Sequence, residues 1–155
     1  MNSSTTIKTL PLLTFFFLVT LFSPANAQEI TEDQTLEYIN SKLADGCQVQ
    51  TKKLFNVTFS KNGDVFREDR IALEDLDPES MSYNEEEGKL IVRCYDRSGK
   101  CIDRSIYKQD LRRGYSRIAF PLKGGVEEAE GIQKALLHLI NLEMDDDYSS
   151  SEWFE

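Results

Sequence analysis

The chain has 155 residues and a formal net charge of −9, from 18 Lys and Arg against 27 Asp and Glu. An acidic excess of this kind disfavours non-specific nucleic-acid binding, because such binding depends on a dominant positive field. The length fits one folded domain that can bury a hydrophobic core.

The N-terminal segment predicts a secretory signal peptide over residues 1–27. Met1 to Lys8 is polar with one positive charge, Thr9 to Phe22 is apolar, and Ala25-Asn26-Ala27 supplies small residues at the cleavage position. The apolar run is shorter than the ~20 residues that span a bilayer as a helix. We therefore expect cleavage after Ala27 and a secreted or periplasmic protein whose mature part has no transmembrane segment.

The mature part is predicted to form a single α+β domain over residues 28–143. Its first element is a helix from Thr31 to Leu43, in which Thr31 and Gln34 have the spacing of a capping box. Leu36 and Ile39 fall on one face of this helix. Gly46 follows it and suits the left-handed conformation at a C-cap.

Between Gln48 and Leu122 the pattern predicts β-strands. A first strand runs from Val49 to Phe59, Asn62-Gly63 marks a tight turn, and a returning strand follows to Leu73. Asp77-Pro78 indicates a loop, and Met81 to Asn84 indicates a short edge strand.

The second half of the β region begins with Lys89 to Asp96, a strand that is apolar on both faces. Cys101 to Lys108 is predicted to return antiparallel to it, Asp110 to Gly114 is a polar turn, and Ser116 to Leu122 is a further strand. Because the connections are short and contain no helix, we expect an antiparallel sheet.

The last predicted element is an amphipathic helix from Val126 to Glu143. Leu136, Leu139 and Ile140 belong to its apolar stripe and are expected to pack on the sheet. Residues 144–155 are rich in Asp and Glu and contain no base, which predicts an acidic flexible tail.

The chain contains three cysteines, Cys47, Cys94 and Cys101. Asp96 to Gly99 suits a type I turn, and a hairpin closed by that turn would place Cys94 opposite Cys101, within disulfide reach. We therefore predict a Cys94–Cys101 disulfide, with Cys47 as the odd thiol. The absence of a Cys-x-x-Cys pair and the single histidine argue against a metal site, and no cofactor is expected.

His138 is the obvious candidate for acid–base catalysis because it is the only histidine. Lys134 and Asn141 lie on the same helical face, so His138 belongs to the polar surface and has no evident partner to orient it. We predict no catalytic residues and a protein that is not an enzyme.

The basic segment, residues 89–123, is the most distinctive feature of the charge pattern, with 10 bases and 3 acids. One interpretation is pairing of these bases with acidic neighbours on adjacent strands. The other is a ligand-binding surface, in which case an exposed turn is the best position for it. That interpretation assigns ligand binding to Arg112 and Arg113 in the turn, extended by Arg104, Lys108 and Arg117, and implies an acidic protein or an anionic envelope component as partner.

The order of a short helix, an antiparallel meander and a C-terminal amphipathic helix resembles the pleckstrin-homology-like (PH-like) superfold over Val49 to Leu142. The resemblance implies a bent sheet that forms a small barrel or sandwich with the last helix at one end. A cystatin-like arrangement is the alternative fold, and the second long helix argues against it. The chain is also similar to small exported bacterial proteins that carry no assigned activity, and neither resemblance assigns binding residues.

Together these observations predict an exported, non-catalytic binding or scaffold module. The alternative is a secreted protein inhibitor of a hydrolase, a role that small disulfide-stabilised domains often have.

Overall fold

The computed structural model describes residues 30–151, with side chains described over residues 30–144. The predicted signal peptide, its cleavage position and residues 152–155 lie outside the described residues. The described elements, in chain order, are α1 (Glu32–Lys42), β1 (Cys47–Thr51), β2 (Phe55–Lys61), β3 (Asp64–Ile71), β4 (Leu76–Asn84), β5 (Lys89–Cys94), β6 (Ile102–Ile106), β7 (Leu111–Tyr115), β8 (Arg117–Pro121) and α2 (Val126–Ser151).

The strands form two antiparallel sheets. The larger sheet has the order β1-β2-β3-β6-β7, and the smaller sheet has the order β4-β5-β8. The predicted α+β class with antiparallel strands is therefore confirmed. The strands do not close into a barrel.

Helix α1 begins with the predicted capping box. The backbone N–H of Gln34 donates to Thr31 Oγ1 at 3.3 Å, and the backbone N–H of Thr31 donates to Gln34 Oε1 at 3.1 Å. The helix ends at Lys42, and Gly46 adopts a φ of +82° in the turn before β1 rather than at the cap itself. A Cβ at Gly46 would lie 2.3 Å from the carbonyl oxygen of Ser60, so this turn requires glycine.

One hydrophobic core joins both sheets and both helices. Phe55 of the larger sheet and Phe120 of the smaller sheet are each buried, with ring centroids 6.4 Å apart. From α2, the predicted residues Leu136, Leu139 and Ile140 are buried in the same cluster. The predicted core face of α2 is therefore confirmed.

Two strand boundaries differ from the prediction. The single strand predicted over Val49 to Phe59 is two strands, because the chain turns at residues 52–54 and Leu54 is exposed there. The edge strand predicted over Met81 to Asn84 begins earlier, at Leu76, and accommodates Pro78 in an irregular stretch of its pairing with β5.

Helix α2 extends to Ser151, beyond the predicted end at Glu143. The sequence after Gly131 contains no Gly or Pro to stop the helix, so its backbone hydrogen bonds continue into the acidic segment.

The predicted pairing of Lys89–Asp96 with Cys101–Lys108 is wrong. Strand β5 pairs with β4 and β8, whereas β6 pairs with β3 and β7 in the other sheet. Consequently Asp110 to Gly114 is not a polar turn either, since Leu111–Tyr115 forms β7 and completes the larger sheet. The packing of the whole core determines which strands pair, and the short loop after β5 is not sufficient to determine it.

The predicted Cys94–Cys101 disulfide is present, although the hairpin argument for it does not hold. Cys94 ends β5 in one sheet and Cys101 precedes β6 in the other, with their Cα atoms 5.8 Å apart. The bond therefore links the two sheets at a corner of the fold. Cys47 is the free cysteine, as predicted, and it is buried.

Candidate functional site

The predicted ligand-binding residues occupy three places in the fold. Arg104 of β6 lies directly opposite Arg113 of β7, so their side chains share one face of the larger sheet. Lys108 is not on a strand but in the 3₁₀ turn between β6 and β7. Arg117 lies in β8 of the smaller sheet. The structure thus brings Arg104 and Arg113 together and places Arg117 apart from them.

Arg112 occupies the opposite face of β7 and is paired with Asp103. Its Nε donates to both carboxylate oxygens of Asp103, at 2.8 and 2.9 Å, and its Nη2 also contacts Oδ2. The hydrogen bond to Arg112 holds the pKa of Asp103 below its ordinary value, and the same contact raises the pKa of Arg112. Arg112 is therefore paired with an acidic residue of the neighbouring strand, as the first interpretation of the basic segment expects.

A buried carboxylate, Asp69, organises the other face. Its side chain is fully buried, and Oδ1 accepts hydrogen bonds from Arg67 Nε at 2.9 Å and from Arg104 Nε at 2.7 Å. Oδ2 accepts from Arg104 Nη2 at 2.8 Å and from Arg67 Nη2. Each guanidinium therefore forms a bidentate pair with Asp69, and the lone pairs of the carboxylate are fully used.

An aromatic ring lies against each of the two guanidinium groups. The Arg67 Cζ atom lies 4.1 Å from the ring centroid of Phe59, and the Arg104 Cζ atom lies 4.1 Å from that of Tyr115. Stacking of this kind stabilises a cation and restricts its rotamers. Because only one edge of each guanidinium contacts Asp69, its remaining N–H donors are available in a preset orientation.

The strand pairing explains why these residues meet. Val57 of β2, Asp69 of β3, Arg104 of β6 and Arg113 of β7 form one cross-strand row. In this row Val57 lies fully buried in the core, and Arg113 lies exposed at the sheet edge. We call Arg67, Arg104 and Arg113 the arginine cluster.

The arginine cluster carries excess positive charge. Asp69 neutralises one of its three guanidinium groups, and Arg113 forms no ion pair with any described residue. Like charges directly opposite one another on neighbouring strands are unfavourable, so the Arg104–Arg113 pair is not explained by sheet stability. The local field therefore favours an anion beside these two residues.

A shallow cavity of about 260 Å³ lies beside Ile106, the strand partner of Arg67. It is lined by two lysines, Lys61 and Lys108, together with Asp64, Phe66 and Ile106. Ile106 lies two residues after Arg104 and on the same face of β6. The predicted residue Lys108 therefore belongs to the surroundings of the cluster, although it is not on its strands.

The sequence prediction missed Arg67 and Asp69. Arg67, Asp69 and Ile71 occupy alternate positions of β3, and Ile71 is buried. The period of two in a strand places all three side chains on the core face. That alternation was the signal available in the sequence for an inward-facing ion pair.

Two other candidates have no catalytic arrangement. Burial raises the pKa of the Cys47 thiol to about 12, with a smaller opposing effect of Arg67 and a smaller raising effect of Asp69. A thiol with this pKa is protonated at neutral pH and is a poor nucleophile. His138 is half-buried, and its Nε2 lies 2.9 Å from the carbonyl oxygen of Ile30, with no carboxylate hydrogen-bonded to its ring among the described residues.

Within residues 30–144, no group of three or more His, Cys, Asp or Glu side chains is placed to hold a metal ion. Among the described helices, none combines the length and the apolar character needed to cross a membrane. Comparisons with protein-family models, with curated proteins and with solved structures gave no match. The likeness to the PH-like superfold therefore stays a prediction.

Proposed function

We propose that this protein is an exported, non-catalytic binding module that holds an anionic partner on the arginine cluster. The observation that carries the proposal is the Asp69 arrangement, in which one fully buried carboxylate orients two guanidinium groups beside a third that it does not neutralise.

Preorganisation is the physical basis of the proposal. Fixing a rotamer-rich side chain on binding costs about 0.5–1.5 kcal/mol, and Arg67 and Arg104 are already fixed by Asp69 and by their aromatic neighbours. Arginine also binds carboxylate and phosphate groups through paired N–H donors, which lysine lacks.

Chemistry on the bound partner is not part of the proposal. The described side chains that hydrogen-bond to Asp69 are those of Arg67 and Arg104, and the carboxylate of Asp69 is saturated by these four hydrogen bonds. A general base must be able to accept a proton from the substrate, and Asp69 has no oxygen left for that contact. Recognition of negative charge is the function that this geometry supports best.

The test is the affinity of the purified exported protein for poly-L-glutamate, at low and high ionic strength, with Arg113→Gln as the variant. Arg113 is exposed and makes no ion pair with the described residues, so its replacement should not disturb folding. We expect binding that weakens with salt, because screening acts over ~10 Å at 0.1 M and ~3 Å at 1 M. At low salt, Arg113→Gln should bind poly-L-glutamate about two- to fivefold more weakly than the unsubstituted protein.

Arg93→Gln is the matched control, because Arg93 is equally an exposed strand arginine but lies on β5 in the other sheet. Equal weakening by both variants would show only a general effect of net charge and would contradict a defined site. No binding of poly-L-glutamate at low salt, together with none of polyphosphate, would refute the proposal.

A further inference from the structure

We infer that the open edge of β7 takes an extended acidic segment of a partner protein as a sixth strand of the larger sheet. This inference rests on the proposed function, and it names the kind of anion and the way in which it is held.

The first argument is the state of the strand edges. β7 is the last strand of the larger sheet and pairs only with β6. Over residues 111–114 its outer edge receives no backbone hydrogen bond from any described residue. Unpaired N–H and C=O groups along an edge are a template for another extended chain.

The opposite edge of the same sheet is blocked by a side chain. Asn40 of α1 accepts from the backbone N–H of Val49 at 2.7 Å and donates from Nδ2 to the carbonyl oxygen of Val49 at 2.9 Å. Its amide thus occupies the position of a neighbouring strand on β1. The fold covers one edge of this sheet and leaves the other one open.

Each edge of the smaller sheet is partly covered or irregular among the described residues. At the end of β8, the backbone N–H of Ala44 donates to the carbonyl oxygen of Pro121 at 2.8 Å. Just beyond it, the backbone N–H of Lys123 donates to the carbonyl oxygen of Lys42 at 3.0 Å. On the other side, the pairing of β4 with β5 is interrupted between Asp77 and Ser82, so this edge is irregular.

The second argument is charge. A strand added to β7 would have Arg113 beside it on one face and Arg112 beside it on the other, since successive side chains alternate. Lys100 also lies against Gly114, where a Cβ would be 3.1 Å from the Lys100 Cβ. Acidic residues of the incoming strand would therefore meet Arg113 on one face and Lys100 on the other, where Arg112 is already paired with Asp103.

Charge also selects against self-association through this edge. A second copy that paired its own β7 antiparallel with this one, in the register centred on Arg113, would bring the two Arg113 side chains against each other. Like charges across a strand pair are unfavourable, whereas alternating carboxylates are favourable. The partner that fits is an extended acidic segment of another protein.

The probe is a synthetic peptide of alternating Glu and Thr, added to ¹⁵N-labelled exported protein. We expect the peptide to slow hydrogen exchange at those backbone amides of residues 111–114 that point away from β6, at alternate positions of the strand, because the added strand covers that edge. Arg113→Gln should weaken binding about two- to fivefold, and Arg93→Gln should leave it unchanged. A peptide of the same charge with Pro in place of Thr should not protect these amides, since Pro fixes φ near about −65° and favours polyproline II over an extended β-strand.

Each contrary result has a distinct meaning. If both acidic peptides bind equally and the β7 amides exchange at their original rates, strand addition is wrong, but the proposed anion site stands. If polyphosphate binds and neither peptide does, the partner is not an acidic polypeptide. If neither peptide nor polyphosphate binds at low salt, this inference and the proposed function both fail.

Discussion

The substitution Asp69→Asn tests the buried ion cluster most directly, because it keeps the shape of the side chain and removes its charge. Breaking a buried ion pair by removing one partner costs about 3–5 kcal/mol, since the remaining charge is left without compensation. Here two guanidinium groups are left, with side-chain exposures of 21% for Arg67 and 14% for Arg104. Partial contact with water places the expected loss near the lower end, about 3 kcal/mol.

A loss of this size is a large part of the ~5–15 kcal/mol that stabilises a typical domain. It should lower the thermal midpoint by roughly 10 °C, and it should lower the urea midpoint without changing the slope of the transition. Asp103→Asn is the matched control, because Asp103 is also paired with an arginine from a neighbouring strand but its pair is open to solvent. Exposed pairs contribute little, so this control should move the midpoint far less. Equal midpoints for the two variants would refute the reasoning.

A second variant separates stability from recognition. This variant replaces Asp69 and the two arginines bonded to it, as Arg67→Met, Asp69→Leu and Arg104→Met together. It should recover much of the stability lost in Asp69→Asn, because apolar residues of similar volume often substitute well for a buried ion group. The same variant should lose binding to poly-L-glutamate. If it remains as unstable as Asp69→Asn, the cluster is a structural requirement of this sheet, and its charge needs no ligand to explain it.

Three further predictions concern the core and the titrating groups. Leu139→Ala should cost about 2–5 kcal/mol in chemical denaturation because Leu139 is buried, and His138→Ala should cost much less. The Cys47 thiol has an ordinary pKa of 9.0 and a folded pKa of about 12. Its contribution to stability is therefore complete below pH 9 and is lost as the pH rises from 9 to 12. Cys47→Ala should remove this loss of stability, measured by chemical denaturation between pH 9 and pH 12. Arg112→Gln should raise the pKa of Asp103, measured by NMR titration, because its hydrogen bond to Arg112 lowers that pKa; an unchanged value would contradict the pairing.

Local signals predicted the elements that local interactions determine. The Thr31–Gln34 capping box fixes the start of α1, and Asn62-Gly63 closes the β2–β3 hairpin with positive φ at both residues. The apolar stripe of α2 placed Leu139 in the core because the helical period alone determines which side chains face inward.

Long-range strand choice was not available from these signals. β5 and β6 are separated by a short loop, which favours a hairpin, but the two strands belong to different sheets. The contact of Asp69 with the arginine cluster depends on the same long-range strand pairing, since Asp69 meets Arg104 only because β3 pairs with β6. A charge pattern along the chain identified the basic segment, and it could not indicate which of its arginines would share a buried carboxylate.

The disulfide connects the covalent structure to the arginine cluster. The backbone N–H of Cys94 donates to the carbonyl oxygen of Ser116 at 2.9 Å, and Ser116 follows Tyr115, whose ring stacks on Arg104. The bond spans a sequence separation of 7, for which loop-closure entropy gives about 2–3 kcal/mol. A Cys94→Ala/Cys101→Ala variant should therefore lose about that much stability in urea, and it should also bind poly-L-glutamate more weakly than the native protein at a temperature where both are folded. Unchanged affinity in the folded variant would mean that Asp69 and the aromatic rings position Arg104 without help from the sheet corner.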